Sequence, residues 1–231
     1  MAIAELDAHA GASESTLTYS VSTGENRALF ALTGSINVNA DDADSVTYGG
    51  QSMTALYVVS SSSQTKGTIW WLNEAGIAAS TGTALIASGH SGSDYIAAGS
   101  YTGAAQTSGN LVANQTKYST QVGSADTGQQ GNIIAGSSGG YVIGVGVHRT
   151  VSDAHTWDAV TQQQKSAIAG GSFSGHGFFL DLALSSTGNT DVDWSAGTAF
   201  SYVDGFITVN KATALAALSG YWGVRVAAPQ P

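Results

Sequence analysis

Asp44–Leu72 reads DSVTYGGQSMTALYVVSSSSQTKGTIWWL, and this stretch decides the fold class. Val46 and Tyr48 alternate with Ser45 and Thr47 up to Gly49-Gly50, a turn signal, after which Met53, Leu56, Tyr57, Val58 and Val59 resume strand character. The run from Ser60 to Thr65 is polar enough to be a loop. Beyond it, Thr68-Ile69-Trp70-Trp71-Leu72 is β-branched and aromatic, the composition that suits a pleated, half-buried surface. The stretch predicts the framework hairpin of an all-β sandwich.

Working outward toward the N-terminus, Thr16–Val21 alternates, Gly24-Glu25-Asn26 forms a turn, and Arg27–Val38 gives a second strand ending in the acidic loop Asn39–Asp44. Residues 1–15 are small and acidic and read as an arm, with at most a helical turn or two in Ala4–Ala10. Toward the C-terminus, short strands are expected at Gly82–Ala87, Asp94–Thr102 and Gln115–Val122, with a turn at Gly128–Gly131. In Gly140–Arg149, Tyr141, Ile143, Val145 and Val147 share one face, while Gly144 and Gly146 on the other suggest close approach by another layer or a bend. Thr161–Ala169 fits either a polar strand or a helical turn. Phe178–Leu184 has a clean period of two, with Phe178, Leu180, Leu182 and Leu184 opposite Phe179, Asp181 and Ala183. Thr190–Trp194 and Phe200–Val209 complete the series, and Ala212–Leu218 is helix-competent with Gly220 as its stop.

Such a succession of short strands with little helix predicts a two-sheet antiparallel β-sandwich of jelly-roll type. The expected division is an N-terminal arm at 1–15, one sandwich domain at 16–210 and a C-terminal assembly extension at 211–231. The expected core holds Leu32, Val46, Ile69, Leu72, Ile96, Ile143, Val145, Leu180, Leu182 and Phe206. No repeat of constant period is evident, which disfavours a propeller or solenoid.

Composition narrows the function classes. The net charge is −9, and the seven Lys and Arg residues are scattered from Arg27 to Arg225, so the chain lacks the basic footprint of a nucleic-acid binder. Only 10% of residues are charged, which makes the surface one of Ser, Thr, Asn, Gln and Gly and suits a protein standing among neighbours. Cysteine is absent, so there is neither a disulfide framework nor a thiolate metal site. The first residues lack the basic and apolar regions of a signal peptide, and no apolar run is long enough to span a bilayer. The reading is of a protein made in a cytoplasm and not inserted in a membrane.

The chemical motifs are weak. Gly136-Ser137-Ser138-Gly139-Gly140 matches the G-x-S-x-G pattern, but a strand follows where a nucleophile elbow needs a helix. Asp153, His155 and Asp158 offer one imidazole and two carboxylates in a loop, short of a converging ligand set, and Asp41-Asp42-Ala43-Asp44 lacks the spacing of a calcium loop. Asp191 and Asp193 share a strand face with Trp194 adjacent, so a sugar subsite can be imagined there. The other tryptophans, Trp70, Trp71, Trp157 and Trp222, are dispersed and fit core packing better than a stacking platform. No catalytic residue, cofactor or metal site is assigned, and the chain reads as a non-enzyme.

Three segments carry a resemblance. Tyr48-Gly49-Gly50-Gln51-Ser52-Met53-Thr54, Trp70-Trp71-Leu72 and Ser100-Tyr101-Thr102-Gly103-Ala104-Ala105-Gln106, followed by the strand GYVIGVGV, resemble a β-sandwich module frequent in phage virion proteins and some bacterial surface proteins. The resemblance runs from about Thr16 to Val209. It implies a structural protein of a tailed phage, serving as capsid decoration, tail or fibre, assembled in the host cytoplasm and bound to other virion proteins and copies of itself. The alternative is a carbohydrate- or receptor-binding module with a host surface glycan as partner. Beyond the resemblance, Leu215, Leu218, Tyr221, Trp222, Val224 and Val226 form a concentrated apolar set, expected to be an assembly interface packing on a neighbouring chain; the alternative is that Tyr221–Ala227 closes the subunit's own sheet as a last strand.

Overall fold

The computed structural model describes residues 2–12, 15–36, 43–61, 65–89, 93–120, 129–134, 138–149, 156–157, 163–170, 173–184, 189–195 and 201–213. The first half of the chain gives β1 (Ala4–Ala12), β2 (Thr16–Thr18), β3 (Ala28–Ile36), β4 (Ser45–Tyr48), β5 (Gln51–Ser52), β6 (Thr54–Ser61), β7 (Thr65–Asn73), α1 (Glu74–Ala79), β8 (Ala84–Ser88) and β9 (Ser93–Thr102). After α2 (Ser108–Leu111), the second half gives β10 (Val112–Thr120), β11 (Gln129–Ile134), β12 (Tyr141–Arg149), β13 (Thr156–Trp157), β14 (Gln163–Gly170), β15 (Phe173–Ala183), β16 (Asn189–Ser195) and β17 (Ser201–Val209). Among the described residues all strand pairings are antiparallel.

The strand order shows what the residues did not. The first half forms a five-stranded sheet β1-β9-β3-β7-β6 and a smaller sheet β2-β8-β4-β5; the second half forms β10-β17-β12-β15-β14 and β11-β16-β13. Matching β1 to β10, β2 to β11, β3 to β12, β4 to β13, β6 to β14, β7 to β15, β8 to β16 and β9 to β17 superimposes the two orders, with β5 as the one addition. Within each half the chain passes repeatedly between the two sheets in the wrapping order of a jelly roll, staying in one sheet only at β4–β5, β6–β7 and β14–β15. The sandwich expected from the sequence is therefore present twice, as two topologically equivalent units in tandem. The repeat lies in connectivity and not in any constant residue period, which is why the sequence shows none.

Side-chain parity explains the stacking. On β3, Leu29 and Ala31 point into the first unit's own core with Val46, Tyr48, Trp70, Leu72, Leu85 and Ile96. Ala28, Phe30, Leu32 and Ile36 point the other way, into a second core shared with Ile143, Val145, Val147, Phe179, Val203 and Ile207 of the second unit. Every residue of β3 is buried, because the large sheets of the two units lie face to face across that second core. Trp70 and Trp71 are split between the two cores by the same alternation.

Local chemistry fixes the turns. Gly49 and Gly50 carry φ values of +51° and +85°, the left-handed pair that a two-residue hairpin joining β4 to β5 requires. Asn73 caps α1, its side-chain oxygen accepting from the Gly76 amide at 3.0 Å. Arg27 donates to Glu74 from its backbone amide (2.8 Å) and from Nε (2.8 Å), which ties the start of β3 to the helix.

Several expectations are corrected. Residues 4–12 form no arm or helical turn; they are an edge strand, β1, paired with β9. The expected turn at Gly128–Gly131 is instead taken up, from Gln129 on, by β11 (Gln129–Ile134), and the undecided stretch Thr161–Ala169 contains most of β14 (Gln163–Gly170). On β15 the face looking into the shared core is the one with Phe179 and Asp181, both buried, whereas Leu182 of the expected core is only partly buried. The side chain of Leu180 lies outside the described residues. The other eight expected core residues are buried.

Candidate functional site

The residues singled out for chemistry do not converge among the described residues. Ser138 is exposed in a turn, and β12 follows it as expected. Asp41, Asp42, Asp153, His155 and Asp158 lie outside the described residues, as do Leu215, Leu218, Tyr221, Trp222, Val224 and Val226. Asp191 and Asp193 stand on β16 opposite Asn132 and Gln130, and Trp194 stands opposite Trp157.

A different group is brought together, where the two large sheets meet beneath β1. His9 is the centre. Its ring places Nδ1 3.0 Å from Glu5 Oε1 and Nε2 2.7 Å from the Tyr101 hydroxyl. Tyr101 in turn donates to Asp181 Oδ2 at 2.7 Å. Glu5 and His9 come from β1, Tyr101 from β9 and Asp181 from β15, so the hydrogen-bonded chain runs from one unit into the other. The His9 and Asp181 side chains are 1% and 4% exposed, while Glu5 at 32% reaches solvent.

The sequence builds a socket for this ring. A Cβ on Gly99 would collide with the His9 imidazole and lie 2.9 Å from Phe179 Cζ, so the glycine in the run Ala97-Ala98-Gly99-Ser100-Tyr101 leaves the space the ring fills. The Phe179 ring packs edge-on against His9 with centroids 4.4 Å apart, and Tyr141 packs against Tyr101 at 5.2 Å. Burial, followed by the Asp181 charge, pushes the Tyr101 phenol well above its ordinary range and keeps it protonated.

A second polar group lies beside the first. Asp7 accepts from Ser100 Oγ at 2.7 Å and from the Ser22 amide at 2.9 Å, and Tyr19 donates to Ser100 Oγ at 3.2 Å. Burial alone would raise the Asp7 carboxyl, but the Ser100 and Ser22 bonds outweigh it and hold it below the usual carboxylate range. Burial pushes Tyr19 up to about 12.

Glu5, His9 and Asp181 have the residue types of a metal site, with one donor atom from each within 4.8 Å of the others. The Tyr101 oxygen, however, already bridges His9 and Asp181, so hydrogen bonds close the spaces between the donors. His9 and Asp181 are too buried to meet a substrate. What the arrangement can do is hold a proton and join two units.

Sequence reading noted His9 only as one of five dispersed histidines. The available signal was Glu5, Asp7 and His9 at alternate positions of a stretch too polar at those positions for an ordinary core strand. Residues of the three-segment motif stand at folding points. Ser100 and Tyr101 are members of the two polar groups, Gly103 has φ +75°, and Gln106 donates to the Arg27 and Ala104 carbonyls while accepting from the Glu74 amide. Comparisons with family models, with curated proteins and with solved structures find no match to the chain.

Proposed function

We propose that the chain is a non-enzymatic structural protein of a tailed phage particle, a capsid decoration, tail or fibre component acting through contacts with other virion proteins and copies of itself. The observation that carries the reading is the tandem jelly roll: two equivalent units fused through their large sheets, a wrapping order that recurs in viral capsid domains. Fold alone does not give function, so the resemblance of the Tyr48–Thr54, Trp70–Leu72 and Ser100–Gln106 segments to virion modules is the second support. The low charge and the polar Ser, Thr and Gly surface are in keeping with a protein packed among neighbours.

The test is the copy number of the chain in purified particles of the phage that encodes it. Stoichiometric incorporation is the expected result, and absence from particles overturns the reading. A glycan-binding role is the second reading, favoured by the register that sets Trp157 opposite Trp194 on the strand carrying Asp191 and Asp193. Binding on a glycan array that is lost in Trp194→Ala would promote it.

A further inference from the structure

We infer that the Glu5–His9–Tyr101–Asp181 chain is a proton-dependent joint between the two units: folding takes up one proton there, and the joint loosens as pH rises above neutral. The inference is a count of hydrogens. Three short contacts link the four groups, Oε1 to Nδ1 at 3.0 Å, Nε2 to the phenol oxygen at 2.7 Å, and phenol oxygen to Oδ2 at 2.7 Å. Each needs one hydrogen, because two lone pairs facing each other at such distances repel. The unfolded chain above about pH 6.5 brings only two, one on the neutral imidazole and one on the phenol, both carboxyls being ionised.

The native chain therefore holds a third. It is either the second ring proton of His9, giving an imidazolium between two carboxylates, or a carboxyl proton on Asp181 donated to the phenol oxygen. Either way the four groups sum to −1 in the folded protein and −2 in the unfolded one, so the pair of sites titrates as a unit. The sign follows from linkage. The native chain keeps its extra proton to a higher pH than the unfolded histidine does, so the joint's contribution is complete below about pH 6.5. Above that it falls about tenfold in equilibrium constant per pH unit, until the native chain itself loses the proton.

The surroundings favour retention of that proton. Among the described side chains, the other titratable groups near the chain are Asp7 on β1, engaged with Ser22 and Ser100, Tyr19 bonded to the same serine, and Tyr141 on β12. β14 passes beside β1 and carries Lys165 as its one charged residue, and β15 also carries His176. Phe179 and the Gly99 backbone shield the imidazole from water, which strengthens the contacts it makes.

The test compares urea unfolding of the wild type and Asp181→Asn between pH 6.5 and 8.5. An asparagine amide donates to the phenol oxygen, the phenol then donates to neutral His9, and all three contacts are filled without the added proton. The wild type is expected to lose stability with pH more steeply than the variant by about tenfold per pH unit. Equal slopes overturn the inference. Should Asp181→Asn not fold, Glu5→Gln serves the same comparison, since its amide donates to Nδ1, Nε2–H to the phenol and the phenol to Asp181, again without the added proton. The ¹⁵N signals of His9 at pH 7.5 then locate the proton. Two protonated ring nitrogens, or a neutral ring with the slope difference retained, support the joint; a neutral ring with equal slopes sinks it. Stabilisation of the wild type by added Zn²⁺ that Asp181→Asn lacks would also overturn it, because a metal would then stand where the proton is placed.

Discussion

Replacing Gly34 with alanine puts a methyl group into a close approach between the two units. The new Cβ would overlap the Tyr95 ring and lie 2.7 Å from Val147 Cγ2, so a residue of the first unit and one of the second both obstruct it. Tyr95 cannot swing aside freely, because its hydroxyl donates to the Gly146 carbonyl of the opposite sheet at 2.7 Å. Overpacking of a filled core costs about 1–3 kcal/mol, and loss of that buried hydrogen bond adds about 1 kcal/mol. The expected destabilisation is about 2–4 kcal/mol, or roughly 4–16 °C in Tm for a chain of this size. Urea unfolding followed by tryptophan fluorescence measures it. The control is Gly82→Ala, where a Cβ meets nothing within 4 Å and the change should stay within about 0.5 kcal/mol. If Gly34→Ala is as stable as Gly82→Ala, the large sheets do not approach as described.

Other consequences follow from the same packing. Trp70 Nε1 donates to Thr33 Oγ1 at 2.9 Å, whereas buried Trp71 Nε1 has no such partner, so Trp70→Phe should cost about 1–3 kcal/mol more than Trp71→Phe in the same unfolding assay. Phe179→Ala opens a cavity in the shared core beside His9 and should cost about 3–5 kcal/mol by chemical denaturation. The Arg27 hydrogen bonds hold the Glu74 carboxyl below its usual range, so this pair stabilises above the ordinary carboxylate value and its contribution fades as pH falls through the lowered one. Being partly exposed and screened, it should contribute less than about 1 kcal/mol, measured as the difference in acid stability between wild type and Glu74→Gln. A chain ending at Thr213 keeps the Ala104–Lys211 bridge and the Ala212 amide bond to the Gly103 carbonyl. It should fold and fail to enter particles, as judged by circular dichroism and particle composition.

Much of the fold was legible because it is written in local alternation. β3, β4, β7, β12 and β17 lie within a few residues of the stretches that alternate or run β-branched, and Gly49-Gly50 marks its hairpin by conformational necessity. β1 was not legible, since its Glu5, Asp7 and His9 are accommodated by Ser22, Ser100, Tyr101 and Asp181, partners up to 172 residues away (181 minus 9). The burial of Asp181 on β15 was not legible for the same reason: a carboxylate signals solvent unless its partners are known, and its Tyr101 partner sits on another sheet. The duplication stayed hidden because equivalent strands share their place in the topology and little else. Thr65–Asn73, with its Trp70-Trp71 pair, answers to Phe173–Ala183, which has Phe178-Phe179 and a buried Asp181, and apolar Thr54–Ser61 answers to polar Gln163–Gly170.

The face-to-face stacking of two equivalent units is tested most directly by methyl-resolved NMR distances across the shared core. The account predicts cross-peaks from the Val147 methyls to Gly34 Hα and from the Val59 methyls to Gly205 Hα, since a Cβ at those glycines would lie 2.7 Å and 2.6 Å from the respective valine Cγ atoms. Both pairs join the first unit to the second. Spectra in which Val59, Val145 and Val147 show contacts only within their own halves, with the β3–β7 and β12–β17 pairings intact, would contradict it.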